Sequence, residues 1–137
     1  MAFDRERYEG LAGFRWALRR FLAASESICR AEAITVQQYQ ALLALGCAPG
    51  PSTMKDLAEQ MMFLPHAAVQ LVNRLQKLGL VERTPSASDR RSVLLTLTAD
   101  GEALLERLAR LHLAEMLKQE PQLSRSLRRL KQAAGVE

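Results

Sequence analysis

Aromatic residues make up only 5 % of this 137-residue chain, and cysteine and histidine occur twice each, as Cys29 and Cys47 and as His66 and His112. Two cysteines in no zinc-ligand spacing exclude a metal finger, and they make a disulfide framework unexpected in a cytosolic chain. Both are expected as small buried thiols. The histidines fall on different expected helices, and no nucleophile elbow, phosphate loop or metal pattern is present. An enzyme is therefore not expected, nor a cofactor or a metal. No apolar run approaches the roughly 18 residues of a membrane span, so the protein is expected to be soluble, with no membrane partner. Residues Met1-Ala2-Phe3-Asp4-Arg5-Glu6-Arg7 carry both signs of charge and no apolar core. A signal peptide is not expected, and cytoplasm is the default location.

Hydrophobic residues supply 48 % of the chain, enough to bury a core, and Leu and Ala dominate them, as in mostly helical proteins. The length suits one domain, or one domain with short dimerising appendages. The net charge is +4, and its distribution matters more than its size. From Met1 to His66 seven basic residues balance seven acidic ones. From Gln70 to Leu95 five basic residues (Arg74, Lys77, Arg83, Arg90, Arg91) face two acidic ones (Glu82, Asp89).

Tyr8 to about Arg30 reads as a long amphipathic helix. Its seam of Leu11, Phe14, Leu18, Phe21, Ser25 and Ile28 is spaced like a heptad. Arg15, Arg19, Arg20 and Glu26 occupy the other face. Such a helix cannot bury its seam alone, so it needs another helix or another chain. Thr35 is placed to cap a second helix reaching about Leu45, and Pro49-Gly50-Pro51 lies in a connector. Thr53 opens a short third helix with Asp56 as its capping partner, and Leu57, Ala58 and Met61 as its core face. The run Met61-Met62-Phe63 reads as core filler. A fourth helix starts at Pro65 and stops at Gly79. The period then becomes alternating: Leu80–Thr84 and Ser92–Leu97 read as strands around the polar loop Pro85–Arg91. Thr98 caps a last long helix that Pro121 is expected to interrupt, followed by an amphipathic helix with Leu123, Leu127 and Leu130.

Two short helices with a tight connection, then strand, basic loop and strand, make a helix-turn-helix with a wing. The second helix of such a pair suits the DNA major groove, where its first residues meet base edges. A wing can reach the adjacent minor groove, whose negative potential attracts arginine.

The segments Leu71-Val72-Asn73-Arg74-Leu75, Gly79-Leu80-Val81-Glu82-Arg83, Asp89-Arg90-Arg91 and Leu97-Thr98-Ala99-Asp100-Gly101 together resemble the signature of the MarR family, in order and near its spacing. The resemblance implies a fold that is mainly α with a small β-hairpin wing: a winged helix-turn-helix at about 35–98, with dimerisation helices at about 5–32 and 99–135. It implies a homodimer that binds double-stranded DNA as a repressor, relieved by a small aromatic or amphipathic effector. The helix from Pro65 becomes the recognition helix, with His66, Ala67 and Gln70 facing bases and Arg74 near phosphates. Thr53 and Lys55 touch the backbone, and Arg83 joins the DNA-binding set. Asp89 braces an arginine at the wing tip, and Arg91, with Arg90 beside it, enters the minor groove. Trp16, Phe21, Tyr39 and His112 are the implied effector pocket, with core or interface residues as the alternative.

Leu64 stands where the family places a serine, Ala67 and Ala68 replace a common Thr-Val pair, and no Arg or Lys occurs from Leu64 to Asn73. Bidentate arginine readout is thus absent from the first turns, and binding is expected to lean on phosphates, the wing and thymine methyl groups. Two alternatives stay open: a winged-helix interaction module without DNA binding, and a regulator that senses oxidants through a cysteine, as some family members do.

Overall fold

The computed structural model describes residues 2–89 and 91–136. In chain order the elements are α1 (Arg5–Ala31), α2 (Val36–Cys47), β1 (Ser52–Thr53), α3 (Met54–Met61), α4 (Pro65–Lys77), β2 (Val81–Pro85), β3 (Val93–Leu97) and α5 (Ala99–Ala134). The chain divides into two units: residues 32–109, and residues 2–31 together with 110–136. No helix among the described residues is long and apolar enough to cross a membrane.

In the unit of residues 32–109, local chemistry sets the helix starts. Thr35 Oγ1 accepts from the Gln38 N–H at 3.0 Å while the Gln38 side-chain oxygen accepts from the Thr35 N–H at 2.9 Å. Thr53 and Asp56 form the same reciprocal box at the start of α3, both bonds at 3.1 Å. Each box satisfies two backbone donors that a helix start leaves open. The apolar stripes of α2, α3, α4 and α5 then meet the hairpin. Leu42, Leu57, Val72, Leu75, Val81, Leu95 and Leu108 are at most 1 % exposed, each contributing roughly 1.5–3 kcal/mol by burial.

The sheet has three antiparallel strands in the order β1-β3-β2, with Val81 opposite Leu97, Arg83 opposite Leu95 and Pro85 opposite Val93. Its third strand was not expected. Ser52 and Thr53 pair with Leu95 and Leu94, and two residues are too few to show an alternating period. The hairpin strands begin one residue later than expected. Leu80 still belongs to the exit of α4: its N–H donates to the Leu75 carbonyl at 3.0 Å, over a left-handed Gly79 at φ 74°, as in a Schellman turn.

The hairpin is tied to α5 by Thr98. Its N–H donates to the Leu80 carbonyl at 3.1 Å, its hydroxyl donates to the Gly79 carbonyl at 2.6 Å, and its Oγ1 accepts from the Gly101 N–H at 3.0 Å. The α5 backbone comes so close that a Cβ on Gly101 would lie 2.1 Å from the Leu80 oxygen.

In the other unit, α1 lies along the later turns of α5. Gly10 faces Leu130 and Gly13 faces Ser126 so closely that a Cβ at either would meet them under 3.0 Å. Arg129 bridges Glu9 at 2.9 Å, and Glu9 also holds Arg5 at 2.8 Å. The buried stripe of α1 is Gly10, Ala17, Ser25 and Cys29, of which Ser25 alone belongs to the expected seam. Phe14, Phe21 and Ile28 are half-buried, but Leu11 and Leu18 stand 44 % and 38 % exposed. Small residues allow the two backbones to approach, and close approach turns the large ones outward. Pro121 does not interrupt the last helix: α5 runs unbroken through it to Ala134. The lost N–H costs about 3 kcal/mol locally, but Gln119 before it and Ser126 after it are buried, and that packing outweighs the propensity.

Candidate nucleic-acid interface

The turn between α3 and α4 is built on Met62, left-handed at φ 54°, whose N–H bonds back to the Ala58 and Glu59 carbonyls. A left-handed residue at a helix end points its side chain away from the helix it closes. Met62 is accordingly 90 % exposed, so the expected core role holds for neither it nor the run as a whole; Met61 and Phe63 are half-buried. Pro65 sits in the first turn of α4 after Leu64, which provides no side-chain cap.

Helix α4 buries Ala68, Leu71, Val72 and Leu75. That leaves His66, Gln70, Asn73 and Lys77 on the outward face, spaced 4, 3 and 4 residues apart as one helical stripe, with Arg74 exposed beside them and Ala67 half-buried. Asn73 is committed elsewhere: its Oδ1 accepts from Arg83 Nη2 at 2.6 Å, joining α4 to β2. Arg83 Nε is buried and has no hydrogen-bond partner.

The wing loop is ordered by its own polar groups. Ser86 N–H donates to the Ser92 carbonyl at 3.0 Å. Asp89 accepts from the Arg91 backbone N–H at 3.0 Å and from the Ser92 hydroxyl at 3.1 Å. Its carboxylate thus braces the backbone of Arg91 and a serine at the wing tip. Arg91 is exposed; Arg90 lies outside the described residues.

Lys55, Arg83 and Arg91, with Thr53 and Val69, line a groove of about 400 Å³ between the start of α3, α4 and the wing. Hydrogen bonds from Thr53 hold the Asp56 carboxyl below its ordinary range. Asn73, Lys77 and Val69 were not singled out as site residues from the sequence. For Asn73 and Lys77 the signal was available, since both share the helical stripe of His66 and Gln70.

The expected effector residues are only partly brought together. Phe21 stands edge-on to His112, ring centroids 6.3 Å apart, and His112 Nε2 lies 2.7 Å from the Ser25 hydroxyl, both buried. Trp16 is 56 % exposed and does not join them. Tyr39 is buried in the unit of residues 32–109. Cys29 is buried and Cys47 exposed, both as free thiols; burial pushes the Cys29 thiol pKa up, against a smaller opposing effect of the Ser25 hydroxyl.

A capped helix-turn-helix followed by a hairpin wing with basic side chains defines a winged helix-turn-helix protein. The MarR family model matches residues 34–92. The HTH-type transcriptional regulator FarR of Neisseria gonorrhoeae is 37 % identical over 75 residues, 55 % of this chain and 51 % of that protein. The chain thus spans about half the length of the curated relatives it matches. Among solved structures, NadR in complex with 4-hydroxyphenylacetate superimposes with a TM-score of 0.71 at 29 % identity, over 90 % of this chain and 86 % of that one. A cysteine-to-serine mutant of Escherichia coli MarR complexed with operator DNA shares the fold, with a TM-score of 0.67 at 23 % identity over 85 % and 89 % of the two chains. Over residues 34–92 the chain is similar to the MarR family, and its fold is that of these solved structures.

Proposed function

We propose that this chain is a sequence-specific regulator of transcription that binds double-stranded DNA as a homodimer, with α4 in the major groove and the wing in the minor groove. One observation carries the reading. Lys55, Arg74, Lys77, Arg83 and Arg91, spread over α3, α4 and the hairpin, take part in none of the ion pairs among the described residues, whereas Arg5, Arg7, Arg107, Lys118 and Arg129 are each paired with a carboxylate elsewhere. Cations held outside ion pairs on a helix-turn-helix and its wing suit a polyanion, whose released counterions drive association. FarR's name as a transcriptional regulator and the operator complex of E. coli MarR support the same reading. His66, Ala67 and Gln70 would face bases, Arg74 and Lys55 phosphates, and Arg90 and Arg91 the minor groove.

Leu11, Leu18 and Leu22 of α1 and Leu117 and Leu127 of α5 are all exposed, and a second copy is the occupant the family implies for these apolar turns. Repression relieved by an aromatic acid belongs to the same proposal, supported by the NadR complex. Anisotropy titrations of labelled genomic fragments across a salt series test the main claim. Expected is a preference for a pseudo-palindrome with half-sites about 10 bp apart, affinity falling steeply with salt, and a mass about twice 15.3 kDa by light scattering. Leu18→Glu should give monomers that bind poorly. Salt-independent binding, or no fragment preferred over random DNA, refutes it.

A further inference from the structure

We propose that the groove between the start of α3 and the wing is a seat for one phosphate oxyanion, through which a single phosphate ties the wing to the helix-turn-helix; the proposal rests on the DNA-binding reading for its natural occupant.

Three cations from three elements, Lys55 on α3, Arg83 on β2 and Arg91 on the wing loop, line this one groove, and no carboxylate is among the lining residues. Like charges gathered around a shared space repel one another unless an anion stands between them. Of the acids close in sequence, Asp56 is taken up by Thr53 and Asp89 by the Arg91 N–H and the Ser92 hydroxyl, and among the described residues neither forms an ion pair with a cation of the groove. Arg83 is held in place by a neutral partner, the Asn73 carbonyl oxygen. Its direction is therefore fixed while its charge stays uncompensated, and its Nε remains a donor that no protein group takes up. With Nε buried, the guanidinium offers a phosphate the Nη hydrogens that Asn73 does not take. The pattern serves any tetrahedral phosphate oxyanion, whether part of a duplex backbone or free in solution. It carries no base sequence, so its effect on DNA is to set the position of the wing.

Methylphosphonate scanning tests the seat. Each phosphate of a bound duplex is replaced in turn by a neutral methylphosphonate, and affinity is read for the wild type, Lys55→Met and Arg83→Met. Expected is one phosphate per half-site whose neutralisation weakens the wild type by about tenfold, yet weakens either variant by less than about twofold. Lys55 is exposed, so Lys55→Met keeps the test decisive even if Arg83→Met fails to fold. In a second arm, millimolar inorganic phosphate is added to the protein without DNA. A rise in melting temperature in the wild type that is absent in Lys55→Met assigns the seat to free phosphate as well; no rise, with the scanning result intact, assigns it to the DNA backbone alone. Equal losses in wild type and variants at every phosphate, with no phosphate-dependent stabilisation, overturn the proposal. If no duplex binds at all, the regulator reading falls, and the phosphate arm by itself decides the seat.

Discussion

Gly101→Ala separates helix propensity from tertiary geometry, because the two predict opposite signs. Within a helix, alanine is favoured over glycine by about 1 kcal/mol, so α5 by itself would gain. In the fold, the new Cβ would lie 2.1 Å from the Leu80 carbonyl oxygen and 3.0 Å from its carbon, whereas a carbon–oxygen contact needs about 3.3 Å. The obstacle is backbone, which cannot swing aside. The start of α5 must therefore withdraw by about 1 Å from the hairpin, at the place where Thr98 N–H reaches the same Leu80 oxygen at 3.1 Å. Losing that bond costs about 1 kcal/mol, and overpacking a filled site costs roughly 1–3 kcal/mol. After the helical gain is subtracted, about 1–3 kcal/mol of destabilisation remains, or a melting temperature lower by roughly 3–10 °C for a chain of this size. Circular dichroism melts at one fixed protomer concentration read it, since association would otherwise shift the curve. Gly46→Ala is the control. Its Cβ meets Leu105 Cδ2 at 2.4 Å, the end of a flexible side chain, so its loss should be smaller. A Gly101→Ala protein melting at or above the wild type would contradict this account of the α5 start.

Thr35→Ala, which removes the hydroxyl half of the α2 capping box and keeps the backbone N–H bond to Gln38, should cost about 1 kcal/mol in urea unfolding, with the slope of the transition unchanged. The Asp56 carboxyl has a lowered pKa in the fold, so its contribution is present above the ordinary carboxylate value near about 3.9 and is lost as pH falls below it; the acid-induced loss of stability should be shallower in Asp56→Asn, and equal slopes would count against the box. Cys47, exposed, should react with a thiol reagent far faster than Cys29, whose buried thiol resists ionisation. The double Ser variant should still bind DNA; peroxide-induced release of DNA that disappears in Cys29→Ser would instead make the protein a redox sensor. Met62→Gly should raise the melting temperature slightly, because Met62 is left-handed and 90 % exposed.

Much of the site was legible because it is local. Capping boxes act across three residues, the outward stripe of α4 follows from its period, and Gly79 marks a left-handed exit; each is written in contiguous sequence. The groove was not legible. Lys55, Arg83 and Arg91 are 28 and 8 residues apart along the chain, and nothing local shows that they converge, nor that Asn73 holds Arg83. Pro121 misled for the converse reason, since its local cost is visible in sequence and the packing that overrides it is not.

The helix-turn-helix, the hairpin after it, the starts of the helices and the resemblance to the MarR family could be read from the residues in order, because spacing, capping and turn chemistry act within a few positions. Folding in three dimensions was needed to settle the two-residue strand β1, the contact of Gly101 with Leu80, the small-residue stripe that leaves Leu11 and Leu18 facing outward, and the gathering of three unpaired cations around one groove. Each of these arises between segments distant in the chain, where backbone approach and side-chain volume, not local propensity, set the energy.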